Sequence, residues 1–250
     1  MDNKKIREIL EFNPKGESSI TPISLLGGTE AYWVFDDAAV FDDKTNQPHA
    51  ILASGKHSDG YFNISKALQF SNICEIFANM IKRAYCENVG VAIDAVVSSS
   101  YAALPLGAEV ARQLDTMFFF TEKDGEGQKW SGRFELVDGM KLLHIEDVIS
   151  TLSTAEKVHK AVADANPNVK FLEKDGKAIV LTIVHRPSVL ADYPDYKIIS
   201  LTEKEVHSWN PSECPLCKKD SKPLKPKTNW QIFQKVMEFQ RFRDDIINRW

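Results

Sequence analysis

The chain has 250 residues, of which 43% are hydrophobic and 26% are charged, and its formal net charge is -4. This balance is typical of a globular protein and argues against intrinsic disorder, while the negative charge argues against nucleic acid as the main partner. The length allows one large α/β domain with smaller additions.

The first predicted element is a short amphipathic helix in the stretch MDNKKIREILEF, which lacks the apolar core of a signal peptide. The apolar runs farther along, such as residues 178–184, are too short to span a bilayer. We therefore expect a soluble, cytoplasmic protein that binds neither a membrane nor nucleic acid.

Residues 20–63 alternate in a β-like way around turn residues, and this pattern predicts an antiparallel hood added to the core. The hood carries the acidic cluster Asp36, Asp37, Asp42 and Asp43. Such a cluster fits either a solvated hairpin face or a cation site, and the spacing favours the solvated face.

The core is predicted from apolar runs that alternate with helical patterns. The runs 94–99, 116–120, 140–146, 178–184 and 196–201 indicate buried strands, and the stretches 73–85, 105–114 and 153–165 have helical spacing. Alternation of this kind predicts a parallel sheet with right-handed crossovers. Ligands of such sheets bind beyond the carboxyl ends of the strands, so the exits after Val97, Phe120 and Ile145 are of most interest.

The C-terminal part begins with an irregular Pro/Lys-rich segment and ends in a strong amphipathic helix, residues 230–250, whose apolar side favours core or dimer packing. We divide the chain into the N-terminal helix and hood (1–68), the α/β core (69–206) and this C-terminal part (207–250), within one compact domain.

The stretch 142–157, LLHIEDVISTLSTAEK, runs from a strand through two acids into a hydroxyl-rich helix start. Adjacent carboxylates can accept hydrogen bonds from sugar hydroxyls, and free N–H groups at a helix N-terminus favour a phosphate. The same residues also fit a capping box, in which Ser153 and Glu156 satisfy those N–H groups themselves. Spacing does not decide between a phosphate site and a cap.

The stretch 142–154 resembles the phosphoribosyl pyrophosphate (PRPP) signature of the type I phosphoribosyltransferases, and other segments are similar to the orotate phosphoribosyltransferases in particular. LASGKHSDGYFN (52–63) is similar to their base-site motif, and VVSSSYAALPLGAEVA (96–111) is similar to their pyrophosphate loop. FFFTEKDGEGQKWSG (118–132) resembles their mobile catalytic loop, and ECPLCKKDSKPLKP (213–226) resembles the tail of one bacterial branch. They keep the family's order over residues 51–226, which is more specific than any one motif.

The resemblance implies the type I phosphoribosyltransferase fold, a parallel sheet flanked by helices with an N-terminal hood and a C-terminal helix. It implies transfer of a 5-phosphoribosyl group from PRPP to orotate, with Mg²⁺ on the pyrophosphate rather than directly on the protein. It also implies a homodimer with shared active sites.

Site residues carry over from the family by position. The PRPP contacts implied are Glu146, Asp147, Ser150, Thr151, Ser153, Thr154, Ser99, Ser100 and Tyr101. Lys123, with Lys129 as a second candidate, corresponds to the basic residues that the mobile loop presents to the pyrophosphate, and it joins Glu146 and Asp147 as a catalytic residue. The base contacts implied are Ser54, Lys56, Tyr61 and Phe62.

Several positions depart from the family pattern. Leu152 and Ser153 stand where the 5′-phosphate loop usually has small residues with glycine, and Glu156 stands where the orotate enzymes are expected to carry an arginine for the substrate carboxylate. Lys157 is the nearest replacement cation. These departures leave two alternatives open: a phosphoribosyltransferase for another base, and a non-catalytic protein that binds PRPP or a nucleotide.

Cys214 and Cys217 have metal-knuckle spacing, but they supply only two of the four ligands that zinc requires. His207 or a second copy of the chain could complete the site; free thiols are the alternative. His57 fits either a ligand contact or an ordinary loop residue, whereas His144, inside a predicted strand, is expected to be a hydrogen-bonded core histidine.

Overall fold

The computed structural model describes residues 3–13, 20–36, 47–187 and 193–247, with side chains left out at 239 and from 241 onward. Asp37, Asp42 and Asp43 of the predicted acidic cluster lie outside these ranges, as do the last three residues of the predicted C-terminal helix. Both proposals for the acidic cluster therefore stay predictions.

The helices of the described ranges include those predicted for the core and for the two chain ends. They are α1 (Asn3–Glu11), α2 (Pro22–Gly28), α3 (Ser65–Leu68), α4 (Ser71–Asn88), α5 (Leu104–Leu114), α6 (Ser153–Ala165) and α7 (Pro226–Ile247), the last with a kink at Asn229.

The strands are short in the hood and long in the core. They are β1 (Tyr32–Val34), β2 (His49–Ile51), β3 (His57–Ser58), β4 (Gly60–Phe62), β5 (Ala95–Ser98), β6 (Met117–Phe120), β7 (Glu122–Asp124), β8 (Gly127–Lys129), β9 (Lys141–Ile149), β10 (Lys170–Phe171), β11 (Glu173–Lys174), β12 (Lys177–His185), β13 (Tyr196–Glu203), β14 (Ser208–Trp209) and β15 (Pro223–Leu224).

The centre of the molecule is a parallel sheet in the order β13-β12-β9-β5-β6, with β10 and β11 added at its margins. Strand β9 continues three residues beyond its predicted end at Glu146, because it keeps pairing with β12 as far as Ile149. The predicted α/β class with a parallel sheet is confirmed.

Side-chain alternation along the strands places helices on both faces of this sheet. Val96 packs in the cluster that contains α4 and α5, while its neighbour Val97 packs against Val158 of α6 on the other face. Helix α5 comes so close to the sheet that a Cβ atom at Gly107 would lie 2.6 Å from the Phe118 ring.

The hood differs from the sequence prediction in two ways. Residues 22–28 form helix α2, capped by the Thr21 side chain, where the sequence predicted only β-like structure. The pairs β1–β4, β2–β3 and β3–β14 are antiparallel as predicted, but β15 joins β2 in parallel, so the hood sheet takes strands from both ends of the chain.

Helix α7 packs on the hood with its apolar side. Trp230, Phe233, Val236 and Met237 form a buried cluster with Trp33 of β1. This confirms core packing for the described part of the C-terminal helix. No helix within the described ranges is long and apolar enough to cross a membrane.

Candidate active site at the carboxyl edge of the sheet

Three neighbouring strands bring their carboxyl ends together at one edge of the sheet. Ser98, the last residue of β5, pairs with Ile145 of β9, and Thr182 of β12 pairs with Glu146. The acid pair Glu146 and Asp147 therefore lies just beyond the end of β5. The turn that follows β9 and the segment that follows β12 leave the sheet at the same edge.

Glu146 is held in a buried chain of polar side chains. Its Oε2 accepts a 2.7 Å hydrogen bond from the Ser99 hydroxyl, and its Oε1 lies 2.8 Å from His144 Nε2. The Nδ1 of His144 lies in turn 3.1 Å from Nε2 of His159, whose ring stacks on Phe171. His144 is thus the hydrogen-bonded core histidine that the sequence predicted.

Burial shifts the titration of this chain of groups. Desolvation raises the pKa of Glu146 to about 7, although the hydrogen bonds from Ser99 oppose the shift. Desolvation lowers the pKa of His144 to about 3 and that of His159 to about 2, the latter with help from repulsion by His144. Both imidazoles are therefore neutral at neutral pH, while Glu146 is close to half ionised.

Asp147 points to the opposite side of β9, because successive side chains of a strand alternate. Burial, followed by the charge of Glu146, raises its pKa to about 7, and the positive charge of Lys227 opposes this rise. Burial raises the pKa of Tyr61 in the hood, Arg186 opposes that rise, and the charge of Asp147 adds to it, so Asp147 is within electrostatic reach of the hood. Of the two acids, Asp147 has no side chain of the described residues bound to its carboxylate.

The turn after β9 closes without glycine. Leu152 has φ -82° and ψ 1°, an ordinary conformation for its residue type, and its side chain is buried in a cluster with Ile149, Ala155 and Val180. Of the two alternatives left open by the sequence, the capping box is wrong: α6 starts at Ser153, and no side chain of the described residues caps it. The hydroxyl residues Ser150, Thr151, Ser153 and Thr154 are exposed or half-buried, so the helix N-terminus is accessible.

The loop after β5 meets the hairpin after β6. Lys123 of β7 places its Nζ 6.0 Å from the centre of the Tyr101 ring, which is 71% exposed. The Ser100 side chain is buried, and its Oγ has no hydrogen-bond partner within the described ranges. The structure therefore brings Lys123 near Tyr101, one of the predicted pyrophosphate residues.

The four predicted base contacts are separated in the structure. Tyr61 and Phe62 are neighbours on β4, so their rings point to opposite sides. Phe62 is buried in the main core and stacks on Tyr32 at 4.5 Å, so Tyr61 is the more accessible of the two rings, and their contact with a base stays a prediction. Ser54 and Lys56 lie exposed in the turn between β2 and β3.

Arg186 is a candidate site residue that the sequence patterns did not indicate. It follows β12 directly, and its backbone N–H donates to the Ile149 carbonyl beside the acid pair. Burial lowers its pKa, while nearby Tyr61 and Asp59 raise it. Among the described residues its guanidinium makes neither a hydrogen bond nor an ion pair. The one feature of the sequence that could have indicated Arg186 is its position at the end of a predicted buried strand.

Glu156, the residue that cast doubt on the substrate, is exposed on α6, and its charge acts on Tyr196. Tyr196 packs against the cluster that contains Leu152, and Glu156 is not among the groups that shift the pKa of Glu146 or Asp147.

Comparisons with known proteins agree with this geometry. No family model matches the chain. The chain is 31% identical over 182 residues to an orotate phosphoribosyltransferase of Caldanaerobacter subterraneus subsp. tengcongensis, covering 72% of this chain and 89% of that protein. It is 30% identical over 178 residues to one of Caldicellulosiruptor bescii, with 71% and 87% covered. Its fold is similar to a crystal structure of orotate phosphoribosyltransferase from Aeropyrum pernix, with a TM-score of 0.51 at 13% identity, over 73% of this chain and 94% of that one.

Proposed function

The chain belongs to the orotate phosphoribosyltransferase family, and from this membership we propose that it transfers the 5-phosphoribosyl group of PRPP to orotate. Pyrophosphate is released, and the reaction belongs to pyrimidine nucleotide synthesis. The observation that carries the proposal is the unpaired, half-buried guanidinium of Arg186 beside Tyr61, at the edge of the sheet where β9, which carries the acid pair, ends.

An acidic base fits this corner by its chemistry. Arginine presents a planar fork of donors that matches a carboxylate with two parallel hydrogen bonds. A guanidinium that is partly desolvated gains more from such a partner than an exposed one, because the local dielectric is lower. Tyr61 offers an aromatic face for a flat ring next to that cation, so Arg186 and Tyr61 form the proposed base site.

The ribose and its phosphate fit the adjacent turn. We assign the sugar hydroxyls to Asp147, whose carboxylate is hydrogen-bonded only by backbone N–H groups among the described residues. We retain Glu146 as the second acid, although each of its oxygens already lies within hydrogen-bond distance of a side chain, Ser99 or His144. The 5′-phosphate is assigned to residues 150–154, where the N-terminal N–H groups of α6 and four hydroxyls favour an anion.

In the proposed reaction a ring nitrogen of orotate forms a bond to the anomeric carbon of the ribose while the bond to pyrophosphate breaks. Positive charge develops on the sugar, so carboxylates near the ring stabilise the transition state, and no protein nucleophile is needed. Lys123 and the loop of Ser99, Ser100 and Tyr101 are assigned to the leaving pyrophosphate, whose oxygens would hold Mg²⁺.

Three further parts of the proposal rest on the resemblance to the family. These are the need for Mg²⁺, a homodimer in which each subunit contributes to its partner's site, and a cytoplasmic location. Sedimentation of the purified chain tests the dimer, and turnover with and without Mg²⁺ tests the ion.

The activity is tested with the purified full chain, PRPP, orotate and Mg²⁺, by following pyrophosphate release. We expect saturable turnover that uracil and adenine do not support, since neither carries a carboxylate. Arg186→Gln should raise the KM for orotate by about 10- to 100-fold, the equivalent of one lost charged hydrogen bond, and leave the KM for PRPP nearly unchanged. Lys157→Gln is the matched control, because this exposed cation on α6 is the other possible carboxylate partner.

Absence of turnover with orotate would overturn the proposal. Turnover with uracil or adenine alone would identify a transferase for another base. Calorimetric binding of PRPP without turnover of any base would identify a non-catalytic binding protein. A KM for orotate that responds to Lys157→Gln rather than Arg186→Gln would move the carboxylate contact to α6.

A further inference from the structure

Four side chains with metal-ligating atoms meet in the hood, away from the acid pair. His49 lies on β2 and His57 on the neighbouring β3, while Cys214 and Cys217 lie in the irregular segment between β14 and β15. Their ligand atoms all lie within 4.8 Å of one another, and only Cys217 is partly exposed. Residues separated by up to 168 positions along the chain therefore converge on one point.

The distances between these atoms suit a single ion at their centre. His49 Nε2 lies 3.0 Å from His57 Nδ1, 3.6 Å from Cys214 Sγ and 3.5 Å from Cys217 Sγ, and Cys217 Sγ lies 3.2 Å from His57 Nδ1. Zinc bonds of about 2.0–2.1 Å to nitrogen and about 2.3 Å to sulfur, arranged as a tetrahedron, separate two nitrogens by roughly 3.3 Å and nitrogen from sulfur by roughly 3.5 Å. Each of the four distances lies within about 0.3 Å of the separation that such a tetrahedron requires.

The orientation of His49 is fixed from outside the cluster. The Ser221 hydroxyl donates to the Gln47 carbonyl at 2.6 Å, so the Ser221 oxygen is left to accept a hydrogen bond from His49 Nδ1 at 2.9 Å. With the proton on Nδ1, the lone pair of His49 Nε2 points toward the two sulfurs. Metal-binding histidines are characteristically oriented in this way by a hydrogen bond from their other ring nitrogen.

We propose that His49, His57, Cys214 and Cys217 bind one Zn²⁺ ion as a structural site. Two imidazole nitrogens and two thiolates form a closed tetrahedral set that leaves no position for a substrate. Binding the ion to the two thiols releases two protons, one from each sulfur. The site requires neither PRPP nor orotate and is independent of the proposed activity.

The sequence prediction of zinc named the two cysteines but expected His207 or a second chain to complete the set. His207 instead places its Nδ1 3.0 Å from Asp59 and its Nε2 3.2 Å from Glu205, and its ring stacks on Trp209. The two histidines come from the hood, so one chain supplies all four ligands.

The ion would link the hood strands β2 and β3 to the segment between β14 and β15, which comes from the C-terminal part of the chain. The sheet β14-β3-β2-β15 is built from strands of two or three residues, two from residues 49–58 and two from residues 208–224. Strands this short contribute few ladder hydrogen bonds, so a bond through metal adds a large part of the local stability. His57 lies next to Lys56 and four residues from Tyr61, so the ion would also fix the segment that leads to the base site.

The proposal is tested by elemental analysis of the full chain after dialysis in buffer without chelator. We expect about one zinc per chain in the parent, as a closed four-ligand site implies, and a loss of most of it in Cys217→Ser and His57→Gln. Cys86→Ser is the matched control, because this exposed thiol on α4 lies outside the cluster. It should retain the parent's zinc content.

A second measurement does not depend on whether the variants fold. Replacement of the ion by Co²⁺ in the parent should give the strong visible absorption of tetrahedral cobalt together with a sulfur-to-cobalt charge-transfer band in the near ultraviolet. Substoichiometric zinc and no such bands in the parent would overturn the proposal and leave the cluster as a set of hydrogen bonds. Full zinc content in the Cys214→Ser, Cys217→Ser double variant would overturn it as well.

Discussion

The Ser99 hydroxyl donates a 2.7 Å hydrogen bond to Oε2 of Glu146, and this bond joins the loop after β5 to the acid pair of β9. It fixes the spacing between the proposed pyrophosphate loop and the proposed ribose site. It also connects the site to the core, because the other oxygen of Glu146 faces His144 and, through it, His159. The negative charge of the proposed site is therefore carried in part by Glu146, whose ionised form is destabilised by burial.

The first prediction concerns this bond. Ser99→Ala should lower the free energy of unfolding at pH 8 by about 1–3 kcal/mol, since a buried carboxylate oxygen loses its donor. The loss should be smaller at pH 5, where Glu146 is protonated. Urea denaturation at the two pH values measures both quantities.

Ser98→Ala is the matched control for the neighbouring position. The Ser98 hydroxyl is fully buried and has no hydrogen-bond partner within the described ranges. Its removal should leave the free energy of unfolding unchanged or raise it slightly. Equal losses in the two variants would show that the Ser99 bond contributes nothing specific.

The second prediction concerns Asp147, whose pKa in the folded chain, about 7, is above its ordinary value of 3.8. A raised carboxyl pKa stabilises the fold fully below the unfolded value, and that stability is lost as the pH rises through about 7. Asp147→Asn should therefore be more stable than the parent at pH 8, by up to about 4 kcal/mol, with little gain at pH 4. Calorimetric unfolding across this range measures the difference.

The same substitution should abolish turnover, because the carboxylate that faces the sugar is lost. Asp164→Asn is the control, since Asp164 is exposed on α6 and paired only with Lys160. It should change neither property. A variant at Asp147 that is less stable than the parent at pH 8 would contradict the assigned cause of the pKa shift.

The third prediction concerns the two buried histidines. Their folded pKa values, about 3 for His144 and about 2 for His159, lie below the ordinary value of 6.5. The stability of the neutral forms is complete above pH 6.5 and is lost as the pH falls, since the unfolded chain then binds protons that the folded chain does not.

His159→Gln keeps a donor for His144 Nδ1 but removes one titrating group. Between pH 6 and pH 4 its free energy of unfolding should fall less steeply than the parent's, by about 1.4 kcal/mol per pH unit. At pH 8 both histidines are neutral, so the difference in the free energy of unfolding measured there reports only the packing lost when the ring no longer stacks on Phe171. Parallel curves for the two proteins would show that His159 titrates freely.

The sequence was sufficient for the elements whose signal is local. The β-branched run of β12 and the helical spacing of α6 each predict an element that packs as expected, because the period of the apolar residues depends on the element alone. The change from strand to hydroxyl-rich helix start also located the acid pair. The conformation of the turn at Leu152 was harder to predict, since a leucine in place of glycine does not reveal that its side chain is buried against Val180.

Features that depend on pairing between distant segments were not predictable. Arg186 becomes a site residue only because β12 lies beside β9, and His49 meets Cys214 only because β15 joins β2. Phe62 was assigned to the base although alternation along β4 turns it from Tyr61. The hood strands are two or three residues long, so the alternation in residues 20–63 indicated β structure but not the bounds or the partners of the strands.

The last prediction tests the close approach of α5 to the sheet beneath the pyrophosphate loop. Gly107→Ala would place its Cβ 2.6 Å from Phe118 and 2.9 Å from Ser98 Oγ, so the helix and the end of β5 must move apart. We expect a loss of about 1–3 kcal/mol in the free energy of unfolding, the usual result of overpacking, and a raised KM for PRPP because the loop starts at the same strand end. Gly28→Ala is the control: Gly28 ends helix α2 with nothing within 4 Å of the added atom, so the higher helix propensity of alanine should leave stability equal or greater. If Gly107→Ala matched that control in urea denaturation, the packing of α5 on β5 would be looser than the structure describes.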